Sequence, residues 1–119
     1  MVEKNGQKIM WFELFFVASN VLVVILFYQK IFLTTALLTL ITILGMIRWK
    51  SVRTLSIFIL AGIGGTVLEV ISIHFGVWQY NLTNFFNVPF WLFILWGNSA
   101  AIIYRVAIHI KERRIKDIK

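Results

Sequence analysis

The sequence predicts an all-α integral membrane protein: a bundle of four transmembrane helices with both termini on the same side. Composition is the first reason. Hydrophobic residues make up 60% of the 119 and charged residues 14%, and the mean hydropathy is +0.85. A soluble domain is about 45–50% apolar and about 25% charged. The second reason is length. Four apolar stretches of roughly 17–23 residues dominate the chain, and each is about long enough to cross ~30 Å of hydrocarbon. The third is charge placement, since basic residues concentrate at alternate connections and so on one side of the bundle. Together these exclude a soluble enzyme domain, a nucleic-acid module and a disordered tail. A net charge of +7 with a pI near 10.2 therefore reports topology and anionic headgroups rather than nucleic acid.

The first span is expected over residues 9–28, where an apolar run follows Lys8. Gln29-Lys30 is too short to do more than reverse the chain, so the second span, 31–47, lies antiparallel to the first. The basic turn Arg48-Trp49-Lys50-Ser51-Val52-Arg53 reverses it again into the third span, 54–75. The fourth span, 88–110, leads into a basic tail, 111–119. With one Pro and seven Gly there is no flexible linker, so residues 1–119 read as a single membrane domain. The chain has no cysteine, which excludes a disulfide framework, a thiolate metal site and a thiol nucleophile. No metal or cofactor is expected.

Eleven Lys and Arg residues fall on the side of the two termini and the 48–53 turn, against Lys30 alone on the other. The positive-inside rule places both termini in the cytoplasm of a plasma or cytoplasmic membrane. The connection 76–87 then lies outside, with no charge and with aromatic and amide residues suited to the membrane interface.

Ionisable groups within spans are costly and face the bundle interior. Glu13 and Arg105 lie at similar depths near the cytoplasmic side and are expected to form a structural ion pair. Asn20 reads as interhelical hydrogen-bond glue. Glu69 differs. Gly62, Gly65, Thr66, Glu69, Ser72 and Gly76 recur at spacings of three and four, which makes one helix face small or polar. A small face admits a neighbouring helix closely, so Glu69 is expected to face the first or fourth span rather than lipid. No basic residue reaches its depth. Desolvation disfavours a charged carboxylate in such a place, the profile of a proton donor or a cation site. Taking the third and fourth spans as antiparallel puts Glu69 at about the depth of Ile94. The expected site therefore joins Glu69, His74 and Asn98 as catalytic groups with Trp78, Tyr80, Trp91 and Trp96 as a substrate-binding aromatic rim.

The run Glu69-Val-Ile-Ser-Ile-His74-Phe-Gly76-Val-Trp78-Gln-Tyr80, followed by Val88-Pro89 and Trp96-Gly97-Asn98, resembles integral-membrane carotenoid-biosynthesis proteins of the bisanhydrobacterioruberin hydratase type. It is also similar to lycopene cyclase domain proteins, although Pro89 here is followed by Phe90 and Trp91 instead of paired acids. The resemblance covers about residues 62–98. It implies that Glu69 protonates a polyene or isoprenoid double bond. Alkene protonation creates a carbocation, which aromatic faces stabilise through their quadrupoles.

The sequence thus leads to an isoprenoid- or carotenoid-modifying enzyme, hydratase- or cyclase-like. The alternatives are a small proton- or cation-coupled transporter, in which a lone membrane carboxylate exchanges its proton, and a non-catalytic membrane subunit. The expected partners are a membrane lipid or isoprenoid, and a second copy or another membrane protein, because four spans enclose little volume on their own.

Overall fold

The computed structural model describes residues 2–80, 83 and 88–118, with side chains described for 11–80, 83 and 88–112. Four helices follow in order: α1 (Val2–Phe27), α2 (Ile31–Trp49), α3 (Val52–His74) and α4 (Trp91–Ile118). The all-α four-helix architecture is as the sequence predicts. α2, α3 and the Trp91–Glu112 part of α4 are long and apolar enough to cross a membrane, while the apolar stretch Trp11–Phe27 of α1 is shorter.

The boundaries have local causes. α2 ends where Lys50 adopts the left-handed conformation, φ 48 and ψ 49, and its N–H bonds Met46 O at 2.9 Å. Two residues of turn suffice before α3, because Ser51 Oγ caps it by accepting from Thr54 N–H at 3.1 Å. α3 ends at His74, and two residues on the chain turns at Gly76, whose φ of +76 suits a residue without Cβ. α1 begins at Val2, seven residues before the expected start at 9, and both ends of α4 differ from expectation as well. α4 starts at Trp91 rather than 88, since Pro89 lacks the N–H and favours a position just outside or at the start of a helix. It then continues as helix through the basic tail to Ile118. The side chains of 113–119, and loop residues 81, 82 and 84–87, lie outside the described residues.

Burial is inverted relative to a soluble protein. Asn98 is 1% exposed and Glu13 3%, whereas Phe32 is 83% exposed and Phe15, Leu60 and Trp11 are each at least 70% exposed. A chain with this surface satisfies the hydrophobic effect only in hydrocarbon. The hydroxyls obey the same solvent. Ser19, Thr35, Thr39, Ser56 and Ser99 each donate to the carbonyl four residues back, at 2.7–2.9 Å, as a helix in lipid requires of its polar side chains.

α2 and α4 occupy the centre; α1 and α3 flank them without touching each other among the described residues. α3 and α4 make the tightest pair. The small face of α3 is what lets them approach: Gly62 lies against the Phe93 carbonyl, Gly97 lies against Phe58, and Trp96 covers Gly65. One apolar cluster, Phe16, Trp49, Ala101 and Ile102, fills the end of the bundle that holds the termini. A second, Leu38, Val88, Trp91 and Leu92, fills the opposite, loop end.

Candidate functional site at the loop end

Gly76 turns the chain back over the end of α3. This brings Trp78 and Tyr80, nine and eleven residues beyond Glu69, onto its carboxylate. Trp78 Nε1 donates to Glu69 Oε2 at 2.7 Å, and Tyr80 Oη donates to the same oxygen at 3.3 Å. Oε1 receives no hydrogen bond among the described residues. Glu69 is half-buried and Tyr80 is half-buried, so the group sits at the rim of the bundle and not at its centre. Above it lies a concavity of about 400 Å³ lined by Ile73, Gly76, Trp78, Gln79, Tyr80 and Thr83.

The Tyr80 phenol is pushed up from 10.0 to about 12, by burial first and then by the charge and hydrogen bond of Glu69. The phenol therefore keeps its proton and remains a donor throughout the physiological range. The sign for stability follows. Below pH 10 folded and unfolded chains both hold this proton. Between about 10 and 12 only the folded chain does, so the Tyr80 contribution to stability is lost as pH rises through that window. In a protein carrying Tyr28→Phe and Tyr104→Phe, phenolate absorbance should rise with a midpoint near 12. Adding Glu69→Gln should lower that midpoint but leave it above 10.0, because burial is the larger cause. An unchanged midpoint in the Gln variant would mean that Glu69 does not act on Tyr80.

The structure divides the remaining expected site residues. The Gly62–Phe93 and Gly97–Phe58 contacts fix the register of α3 against α4. Carried seven residues on from Gly62, it takes Glu69 past the first turn of α4, above Trp91 and not level with Ile94. Asn98 therefore lies far below Glu69 and belongs to another assembly. His74 is exposed and stacks edge-on against Phe75, ring centres 5.3 Å apart. Trp91 is buried in the loop-end cluster, where its Nε1 has no hydrogen-bond partner among the described residues. Trp96 leaves the rim altogether and covers Gly65.

Asn98 joins three helices. Its Nδ2 donates to Asn20 Oδ1 at 2.8 Å, and Thr42 Oγ1, at 2.8 Å from both Asn98 Oδ1 and Leu38 O, shares one proton between them. Asn20 Nδ2 donates to Phe16 O at 2.7 Å. Buried side-chain bonds in lipid contribute ~0.6–1.7 kcal/mol each. Asn98→Ala removes two of them and should destabilise the bundle by about 1–3 kcal/mol, read as a lower midpoint of unfolding in mixed micelles. A midpoint equal to wild type would rule out a structural role for the network.

Seven residues along each of the same three helices lies a second layer: Glu13 on α1, Trp49 on α2 and Arg105 on α4. Two turns separate the layers, about 10.5 Å. The expected Glu13–Arg105 ion pair is not made; Trp49 comes between them. Trp49 Nε1 donates to Glu13 Oε1 at 2.9 Å, and the Arg105 guanidinium lies over the Trp49 ring at 5.9 Å. Glu13 Oε2, Arg105 Nε and His109 Nε2 are buried without partners among the described residues. Sequence reading missed Thr42 and Trp49. The seven-residue offset from Glu13 to Asn20, repeated from Asn98 to Arg105, was the available signal for both.

The described residues hold no cluster of His, Cys, Asp or Glu able to bind a metal ion. Comparison with protein families, curated proteins and solved structures finds no match to this chain.

Proposed function

We propose that the protein is a multi-pass membrane enzyme that takes an isoprenoid or polyene at its loop end and protonates one of its double bonds through Glu69. One observation carries this reading: Trp78 and Tyr80 both donate to Oε2, while Oε1 accepts no hydrogen bond among the described residues and is the oxygen that holds the proton. Two fixed donors hold the carboxyl group in one orientation. Oε1–H then breaks and a C–H bond forms from the alkene π pair. The O–H electrons remain on the carboxylate, whose Oε2 is already hydrogen-bonded. The cation left on the neighbouring carbon is stabilised by the Trp78 and Tyr80 rings. It is closed by water, which releases a proton back to Glu69, or by an internal alkene, whose new cation then loses a proton from the adjacent carbon to the Glu69 carboxylate. The resemblance of about residues 62–98 to carotenoid-biosynthesis membrane proteins supports the same chemistry. The excess of basic residues at the other end supports an arrangement with the termini cytoplasmic and Glu69 toward the outer leaflet.

Protein reconstituted in vesicles made up in D2O tests this. Supplied with geranylgeraniol or a linear carotenoid, it should yield a hydrated or cyclised product with deuterium bound to carbon. Recovery of unlabelled starting polyene overturns the reading. Proton-driven uptake of a cation into the same vesicles, without product, would instead assign Glu69 to coupled transport.

A further inference from the structure

Glu69 is the last formal charge before a long neutral stretch, since residues 70–104 contain no Lys, Arg, Asp or Glu. Lys30, at the other turn of the same end, is exposed and makes no ion pair among the described residues. His74 stacks on Phe75 and does not line the concavity over Glu69. The carboxylate charge, which acts on the Tyr80 phenol, thus meets no cation of this chain among the described residues. Around it the walls are aromatic. Trp78 and Tyr80 line the concavity, and each aims its one polar side-chain atom at Oε2. What the two rings offer a ligand is therefore carbon. Trp78 is 46% exposed in spite of its hydrogen bond, so much of its ring is open to contact.

A carboxylate between aromatic rings attracts cations through its own field and through the ring quadrupoles. Calcium and magnesium take about six oxygen ligands or more, and the described residues hold no group of acids and histidines able to supply them. An alkylated ammonium asks for aromatic faces instead. From this we infer that the concavity binds a quaternary ammonium group, held by the Trp78 and Tyr80 rings with Glu69 as its counter-ion. The volume, about 400 Å³, lies at the small end of the roughly 300–1,000 Å³ of ligand pockets, which suits a trimethylammonium head. Gln79 and Thr83 also line it and suit the hydroxyl or ester oxygen that such heads carry. The inference goes beyond proton donation and does not need it. The cation site uses Glu69 ionised and the acid uses it protonated, so a bound cation blocks the acid.

Equilibrium dialysis of radiolabelled choline against the full chain in dodecyl maltoside micelles, which carry no ammonium group, tests this. Choline should bind saturably and be displaced by tetramethylammonium, but not by its uncharged isostere with carbon in place of nitrogen. Glu69→Gln keeps an acceptor for Trp78 and Tyr80, and leaves a neutral polyene bound, but loses the counter-ion. It should weaken choline binding about tenfold, equivalent to ~1.4 kcal/mol. Trp78→Leu should weaken it by a similar factor, and Trp78→Phe should retain most of it. Choline binding that is absent, that is unchanged in Glu69→Gln, or that the uncharged isostere displaces equally well overturns the site. Phosphatidylcholine added to the micelles distinguishes the source. Displacement makes the ligand the head of a membrane lipid; no displacement makes it a cation taken from water. The two readings separate in one preparation. Choline binding without deuterium incorporation into a polyene keeps the cation site and removes the acid. Deuterium incorporation by a protein that binds no choline does the reverse.

Discussion

Gly97→Ala should drive α3 and α4 apart and weaken the bundle more than most single-methyl changes in the chain. A Cβ at Gly97 would stand 2.5 Å from the Phe58 ring and 2.6 Å from the Phe58 carbonyl oxygen. The ring can turn away but the carbonyl cannot, because it belongs to the α3 backbone. At Gly62 the obstacle is again backbone, the Phe93 carbonyl at 2.8 Å. Overpacking of this kind costs about 1–3 kcal/mol. Gly64 is the control, on the same helix but with nothing within 4 Å of an added Cβ. Gly64→Ala should leave stability equal or raise it by up to ~1 kcal/mol through helix propensity. Thermal unfolding of the three variants in one lipid mixture decides the matter. Equal midpoints for Gly97→Ala and Gly64→Ala would mean that α3 and α4 are not in close backbone contact.

The close approach of α3 and α4 was legible because it is written as spacing. Gly62, Gly65 and Thr66 fall on one helical face, and periodicity exposes faces. The relative height of two helices is a different quantity. It depends on where α4 starts, and the apolar run through Val88, Phe90 and Trp91 carries no hydropathy break at that point. Taking the facing ends of α3 and α4 as level moved Asn98 toward Glu69, whereas the Gly62–Phe93 and Gly97–Phe58 contacts carry α3 past the start of α4. The loop was the other obstacle. Trp78 and Tyr80 were legible as an aromatic rim of the Glu69 site, but not as donors to its carboxylate. What puts both on one carboxylate oxygen is the positive φ at Gly76, a backbone event that residue types only permit. Trp49 was hidden for a related reason. Flanked by Arg48 and Lys50, it reads as part of a basic turn, yet helical geometry turns its indole inward between Glu13 and Arg105 while its basic neighbours point out.

That same turn at Gly76 makes the chemistry of Glu69 testable residue by residue. Glu69→Gln keeps the size of the side chain and an acceptor for Trp78 and Tyr80, so it should fold and still bind ligand. It has no acidic proton to give. General acid catalysis contributes typically 10²–10⁴-fold, and the rate of deuterium incorporation should fall by about that factor. Tyr80→Phe and Trp78→Phe remove one donor each and keep an aromatic face beside the developing cation. Each should lower the rate by about tenfold, the equivalent of one hydrogen bond of ~1.4 kcal/mol. Their effects need not add, since the remaining donor still holds Oε2 and fixes the orientation of Oε1. The double variant is therefore the sharper measurement. With both donors gone the carboxyl group can rotate about its own bond and present either oxygen. Loss beyond the product of the single effects means that the two donors orient one acid. A Glu69→Gln rate equal to wild type would remove Glu69 from the reaction and leave the Trp78 and Tyr80 hydrogen bonds as a clasp that closes the loop over α3.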